Sequence, residues 1–162
     1  MSEEQQVAKA VISQQSVFKI KDFYDFLYDL VKSIGFDTIE DEFRKSPEET
    51  VFEWTCLRWV DDYIKFKIWI KVKITDAKGV KVKRGEIAES MSKASVDMTI
   101  KGFIVTDWQN RWENKPLIKL LKGFYDKYLF KPIIEDQRKT INSKVYLIEN
   151  EVKSFFELPR FM

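Results

Sequence analysis

The chain of 162 residues contains no histidine and a single cysteine, Cys56. Histidine is the commonest general base and metal ligand in proteins, so its absence disfavours catalysis and would leave a metal site dependent on carboxylates. One cysteine cannot form an internal disulfide, which favours a reducing, cytoplasmic location. Cys56 lies within a strand-like stretch, where we expect a small packed side chain and not a reactive thiol.

Glycine is also scarce, with five residues in the whole chain. The phosphate-binding patterns G-x-x-x-x-G-K-[ST] and G-x-G-x-x-G do not occur, and neither does the nucleophile pattern G-x-S-x-G. No apolar run approaches the roughly 18 residues of a membrane-spanning helix. We therefore expect a non-enzymatic protein with no cofactor, no metal ion and no membrane span.

Apolar and aromatic residues, in contrast, are plentiful, at 44% and 15% of the chain. This content is sufficient for one well-packed domain without metal or disulfide cross-links. We expect a single α+β domain over residues 18–158 and a short tail over residues 159–162. Residues 1–17 are polar and read as an arm that is flexible, marginally helical or ordered by a partner.

The most informative stretch runs from Tyr63 to Thr75 and alternates strictly between apolar and polar or aromatic residues. Such alternation is typical of a β-strand, whose successive side chains leave on opposite faces. Its apolar side predicts a central strand that covers a hydrophobic core. The opposite side carries basic and aromatic residues, namely Tyr63, Lys65, Lys67, Trp69, Lys71 and Lys73.

Helical periodicity occurs on both sides of the strand patterns. An amphipathic helix is predicted from Lys21 to Ile34, with Gly35 as its C-terminal cap. Strands are predicted at about 38–44, 50–60, 63–75, 80–87 and 94–106, with turns at 46–49 and 76–79. Two helices follow, one beginning near Pro116 and one with an apolar heptad pattern over 133–157. The expected fold is α+β: an N-terminal helix, an antiparallel sheet of four or five strands, and two C-terminal helices packed on it.

The hairpin around Asp61 and Asp62 determines which tryptophans share a face. A loop of two or four residues would place Trp54 opposite Trp69, both on the side away from the core. A loop of odd length would break this register. In the predicted register the core-facing residues of the first strand are Thr55, Leu57 and Trp59.

Charge is segregated along the chain although the net charge is only +2. Residues 36–53 contain seven acidic and two basic residues, whereas residues 58–84 contain nine basic and three acidic ones. Adjacent strands of opposite charge can pair with each other across a sheet, or they can leave a one-sided charged surface for a partner. The sequence leaves both interpretations open.

One candidate site is the outward face of the two central strands. Bases of single-stranded nucleic acids stack on aromatic rings while lysine and arginine neutralise the phosphates. One alternative is that a C-terminal helix covers the tryptophans and the lysine stems extend around it. Another is that this face is an interface with a protein. The candidate polyanion-binding residues are Trp54, Arg58, Lys65, Lys67, Trp69, Lys71 and Lys73.

A second candidate site is a protein interface. The heptad pattern of the last helix either packs on its own domain or also contacts a neighbouring chain. Tryptophan and arginine are enriched in interface hot spots. The candidate interface residues are Trp108, Arg111, Trp112, Ile141, Val145, Ile148, Val152 and Phe155. On this hypothesis Val145→Asp would dissociate an oligomer while the sheet stays folded.

Three functions are compatible with these patterns. The first is a self-associating interaction or assembly protein whose partner is a second copy or another protein. The alternative is a module that binds single-stranded nucleic acid. The third is an enzyme or a carrier with a small-molecule pocket between sheet and helices; the missing histidine and glycine-rich loops count against catalysis but not against an apolar ligand.

Overall fold

A computed structural model describes residues 3–84, 87–106, 108 and 131–157. Its elements are β1 (Glu3–Phe18), α1 (Ile20–Ser33), β2 (Asp37–Lys45), β3 (Glu49–Trp59), β4 (Ile64–Arg84), β5 (Ile87–Thr106) and α2 (Lys131–Glu157). The five strands form one antiparallel sheet in the order β1-β5-β4-β3-β2. The fold is therefore α+β, and β4 lies in the middle of the sheet, as its alternation predicts.

The described chain opens with a strand and not with a helix. β1 pairs with β5 along its whole length, so the prediction of a flexible or helical arm over residues 1–17 is wrong. Ala8, Ala10 and Ile12 recur at every second position and are all buried, which is the pattern of a strand with one face on the core. Alanine and glutamine favour helices in isolation, but here the ladder with β5 supplies the backbone hydrogen bonds.

The amphipathic pattern over residues 21–34 corresponds to α1, which buries Phe23, Leu27 and Val31. Gly35 adopts a φ of 93°, and the backbone N–H of Phe36 donates to the Val31 carbonyl at 3.2 Å. This is the helix end that the glycine predicts. Because β1 precedes α1, however, the predicted arrangement with a helix as the first element is wrong.

At the C-terminus the structure describes one helix, α2, where two were predicted. The helix expected near Pro116 lies outside the described residues. α2 packs on β1 and β5 through a fully buried stripe. The members of that stripe are Ile141, Val145, Ile148, Val152 and Phe156.

β4 and β5 form a hairpin longer than predicted. The turn expected at residues 76–79 is an irregularity in the ladder between Thr75 and Lys78, where Asp76 takes a φ of 58°. Pairing then resumes and continues to the pair of Arg84 and Ile87. β1 pairs with β5 only from Ser92 onwards, and β3 pairs with β4 only up to Thr75, so among the described strands the end of this hairpin pairs only with itself.

The β3–β4 register differs by one residue from the predicted one. Trp54 pairs with Ile70, and Thr55 pairs with Trp69. A shift of one residue exchanges the two faces of a strand. The core side of β3 therefore consists of Thr50, Phe52, Trp54 and Cys56, and the predicted core set Thr55, Leu57 and Trp59 lies on the opposite side, where Trp59 is 48% exposed.

The loop between these strands explains the register. The Asp61 carboxylate accepts hydrogen bonds from the backbone N–H groups of Tyr63 and Ile64, both at 2.7 Å. The Ile64 carbonyl in turn accepts from Val60 and Asp61 at 3.1 Å. Because the outermost ladder pair joins Trp59 to Lys65, the turn encloses an odd number of residues and the even-loop prediction is wrong.

Gly102 marks the closest approach of α2 to the sheet. A Cβ atom at this position would lie 2.7 Å from Val145 Cγ2 and 3.2 Å from Ile141 Cγ1. The bulge predicted at Gly102 lies instead on the facing strand β1, between Gln6 and Ala8. Alternation in β5 therefore continues without interruption past Gly102.

Candidate polyanion-binding face

The outer face of the sheet is the side turned away from α1 and α2. Four β4 lysines lie on it, and the ladder places two β5 residues beside them: Lys101 pairs with Trp69, and Phe103 pairs with Lys67. We call the five lysines the basic track; its members are Lys65, Lys67, Lys71, Lys73 and Lys101. From Lys65 to Lys73 the track follows eight residue steps of one strand, or about 26 Å.

Two aromatic rings lie within the basic track, each close to a lysine ammonium. Lys101 Nζ lies 5.1 Å from the ring centroid of Trp69, and Lys67 Nζ lies 5.2 Å from that of Phe103. Both distances are within the range of cation–π attraction. Trp69 Nε1 also donates to a Glu53 carboxylate oxygen at 2.7 Å, which orients the indole. The face thus combines fixed aromatic rings with adjacent positive charge.

Acidic residues at the margins neutralise part of the track. Lys67 pairs with Glu4 at 3.0 Å, and Lys73 pairs with Glu49 at 3.6 Å. Lys71 forms no ion pair with any residue that the structure describes. Pairing across strands therefore accounts for part of the charge segregation, and such solvent-exposed pairs contribute little, typically below about 1 kcal/mol.

Two of the seven predicted polyanion-binding residues are not on this face. Trp54 is fully buried on the core side, where its Nε1 donates to Glu40 at 3.0 Å. Arg58 pairs with Phe66 in the ladder and donates to the Ile34 carbonyl at 3.4 Å. The one-residue register shift moves both away from Lys65, Lys67, Trp69, Lys71 and Lys73, which the structure does bring together.

Lys101 and Phe103 are the residues that sequence reasoning missed. The interpretation of Gly102 as a bulge concealed them, because a bulge would have changed the faces of the residues after it. The alternation of side chains along β5 could have identified them. Ile100 and Ile104 are both buried on one face, so Lys101 and Phe103 lie on the other.

The predicted interface stripe of the last helix is internal. Ile141, Val145, Ile148 and Val152 have no exposed surface because they pack on β1 and β5. Phe155 is partly buried and stacks on Phe26 with ring centroids 4.8 Å apart. This stripe therefore offers no apolar surface to a second chain.

Trp108 lies at the end of the basic track. Its Nε1 donates to the Asp61 carbonyl at 2.9 Å, and Lys65 Nζ lies 6.0 Å from its ring. The indole is thereby attached to the β3–β4 loop and extends the aromatic character of the outer face. Arg111 and Trp112, the other predicted members of this cluster, lie outside the described residues.

No protein-family model matches the chain, and searches of curated proteins and of solved structures return no match. Within residues 3–84, 87–106, 108 and 131–157, no three acidic or cysteine side chains form a group suited to a metal ion. Neither of the helices in that part of the chain is long and apolar enough to cross a membrane.

The buried thiol of Cys56 is not a reactive group. It lies on the core side of β3 with its Sγ 3.7 Å from Thr38 Oγ1, and burial raises its pKa to about 12. A thiol must be ionised to act as a nucleophile or metal ligand. The prediction of a packed small side chain is confirmed.

Tyr24 has a similarly raised pKa, which makes the stability of the fold depend on pH in the alkaline range. Burial and the hydrogen bond that its hydroxyl donates to Glu40 raise the pKa from 10.0 to about 12. Because the folded pKa exceeds the unfolded one, Tyr24 stabilises the fold below pH 10, and this contribution is lost as the pH rises through 12. Tyr24→Phe should therefore flatten the decline of unfolding free energy over that range, as measured by urea denaturation at successive pH values. Parallel curves for the two proteins would contradict the assignment.

Proposed function

We propose that the protein is a non-catalytic binding module whose outer sheet face binds single-stranded nucleic acid along the basic track. The observation that carries the proposal is the alternation of lysines with aromatic rings on two adjacent central strands, opposite both described helices. Proteins that bind single strands combine a positive track for the phosphates with rings on which bases stack. A cytoplasmic location, expected from the single cysteine, stays a prediction.

The dimensions of the face suit a short single strand. Its length of about 26 Å corresponds to roughly eight nucleotides at a stacked spacing of 3.4 Å. Trp69 and Phe103 lie between lysines, so phosphates and bases of one strand can contact them in turn. In a duplex the base faces are already stacked and cannot reach these rings, which favours a single-stranded ligand.

The ion pairs that Lys67 and Lys73 form with Glu4 and Glu49 at the edges of the basic track are compatible with binding. A phosphate that approaches Lys67 or Lys73 replaces the carboxylate of Glu4 or Glu49 as its partner. Since these exposed pairs are individually weak, their replacement costs little compared with the release of counterions from the nucleic acid. Lys71 has no such pair to exchange within the described residues, and we expect it to contribute most clearly.

We predict that Lys71→Gln reduces the salt dependence of binding to a labelled oligothymidylate. The slope of log K against log salt concentration should decrease in magnitude by about 0.7, the value for one phosphate contact on a single strand. Trp69→Ala should weaken binding by about 5- to 150-fold, which corresponds to one stacked base. Fluorescence anisotropy at several salt concentrations measures both effects.

The matched control is Lys139→Gln, which removes the same charge from an exposed position of α2 on the other side of the molecule. It should change neither affinity nor slope. The proposal is wrong if the Lys67→Gln/Trp69→Ala variant, with a native circular dichroism spectrum, binds as tightly as the wild type. Equal losses in the Lys139→Gln and Lys71→Gln variants would also contradict it, because they would indicate a general effect of net charge.

Self-association is a second candidate, through a surface other than the buried heptad stripe. Ile133 and Leu147 lie about four turns apart on α2 and are 45% and 38% exposed, and the neighbouring Tyr146 is 47% exposed. Light scattering over a concentration series at low and high salt tests it. An oligomer that persists in high salt would support an apolar interface; a monomer at all concentrations would exclude one.

A further inference from the structure

A cleft of about 200 Å³ opens between the start of α1 and strands β2 and β3, on the helix side of the sheet. It is separate from the basic track, which lies on the outer face. Its walls are Tyr24, Phe43 and Phe52, with Ile20 and Thr50 beside them, and Lys21 and Lys45 also line it. The cleft therefore combines aromatic walls with two cationic side chains.

The three aromatic side chains contact one another and form one wall of the cleft. Tyr24 is perpendicular to Phe43 at 5.8 Å between ring centroids and lies 5.1 Å from Phe52 at 70°. Phe43 and Phe52 are nearly parallel, at 6.5 Å and 22°. Phe43 is 51% exposed although it adjoins the fully buried Phe52. Aromatic pairs favour such edge-to-face and offset arrangements, so an added ring has surfaces on which to pack.

The size of the cleft limits the ligand. A cavity of roughly 150 Å³ accommodates benzene, whereas sites for drug-sized ligands occupy about 300–1,000 Å³. At about 200 Å³ the cleft suits one aromatic ring with a short substituent. Longer acyl chains and nucleotides exceed this volume.

The charges around the cleft favour an anionic substituent. Lys21 and Lys45 are exposed and form no ion pair with any described residue. The positive dipole end of α1 also lies at this cleft, since Ile20 and Lys21 at the start of the helix line it. The nearby carboxylate of Glu40 already accepts hydrogen bonds from Tyr24 and Trp54. Asp22 and Asp25 are the acidic groups on this part of α1; both are exposed, and the charge of Asp25 acts on Tyr24.

We propose that this cleft binds a small aromatic monocarboxylate. The ring packs against the surfaces that Tyr24, Phe43 and Phe52 turn toward the cleft, and the carboxylate pairs with Lys21 and Lys45. Thr50 Oγ1 is the neutral polar group beside the ring and offers a hydrogen bond to a ring substituent. Ligand binding here would cover the exposed face of Phe43, which the fold itself leaves in contact with solvent.

Phenylacetate and phenethylamine are the test ligands, because they carry the same ring with opposite charges. In amide-resolved NMR titrations of the full chain, phenylacetate should cause saturable shifts at Tyr24, Phe43 and Thr50, and phenethylamine should cause none there. Lys45→Gln should weaken phenylacetate binding by about fivefold, as expected for one exposed charge pair. Lys71→Gln, on the outer face, should leave the affinity unchanged, so this test is independent of nucleic-acid binding.

Several results would overturn the proposal. These are the absence of saturable shifts in the cleft, equal binding of phenethylamine, or unchanged phenylacetate affinity in the Lys45→Gln variant. Lys45 is exposed at the end of an edge strand, so its substitution does not threaten folding. Phe43→Ala provides a second variant at a half-exposed position; it should abolish the saturable shifts, and retained binding would also exclude the site.

Discussion

Val145→Asp is expected to unfold the domain, not to separate two copies of it. Val145 has no exposed surface, and its side chain packs from α2 onto Gly102 of β5. An isolated carboxylate placed there loses its hydration and gains no partner, which costs about 4 kcal/mol or more. Since small domains have total stabilities of about 5–15 kcal/mol, we expect a large fraction of unfolded protein. Urea denaturation monitored by circular dichroism measures the loss.

Tyr146→Asp is the control at the adjacent position of the same helix. Tyr146 is 47% exposed, so the same new charge remains hydrated and should change stability by only about 0.5 kcal/mol. A folded, monomeric Val145→Asp protein derived from an oligomeric wild type would contradict the structure. That outcome would restore the heptad stripe as an interface between chains.

Gly102→Val is expected to cause the second large loss of stability. Its Cβ alone would lie 2.7 Å from Val145 Cγ2, and two further methyl groups would extend toward α2. Overpacking of a close-packed contact costs about 1–3 kcal/mol, and we expect a loss at or above the upper value because sheet and helix backbones must separate. Thermal and urea unfolding of the purified variant would quantify it.

Gly79→Val is the matched control, because no atom lies within 4 Å of a Cβ built at that position. Valine favours strands, so this variant should be neutral or slightly stabilised. The pair Gly102→Ala and Val145→Ala supplies a double-mutant cycle: removal of Cγ2 from residue 145 should relieve part of the cost of the new Cβ at residue 102. Strictly additive losses would show that the two residues are not in contact.

The two proposed sites occupy opposite sides of one sheet, because successive side chains of a strand point to opposite faces. On β3 and β4 the apolar positions face α1 and α2, while the lysines of the basic track face the other way. The aromatic cleft lies on the helix side because the start of α1, the edge strand β2 and β3 together line it. Variants on one side therefore serve as controls for the other.

Local patterns predicted those parts of the fold that depend on neighbours in sequence. The alternation of β4 indicates both its strand and its buried face, and Gly35 indicates the end of α1. The heptad pattern indicates the apolar side of α2 because helical periodicity is a local property. Four lysines and Trp69 could be assigned to one face for the same reason.

Pairing between strands could not be read from these patterns. The turn held by Asp61 encloses an odd number of residues, and the resulting register removes Trp54 and Arg58 from the candidate face. β1 was missed because its alanines favour a helix locally, and its strand conformation depends on pairing with a segment about 90 residues away. The sequence could not show whether the heptad stripe of α2 contacts its own sheet or another chain, since both bury the same apolar area.

The sequence alone thus determined the α+β class, the central strand with its two unlike faces, and the absence of histidine chemistry, since each follows from composition or short-range periodicity. Tertiary structure decided the β3–β4 register, the pairing of β1 with β5, and the burial of the α2 stripe against Gly102. It also brought Lys101 and Phe103 beside Trp69 and Lys67, and assembled the cleft from three elements. These features depend on contacts between distant segments, whose relative free energies are set by the packing of the whole core.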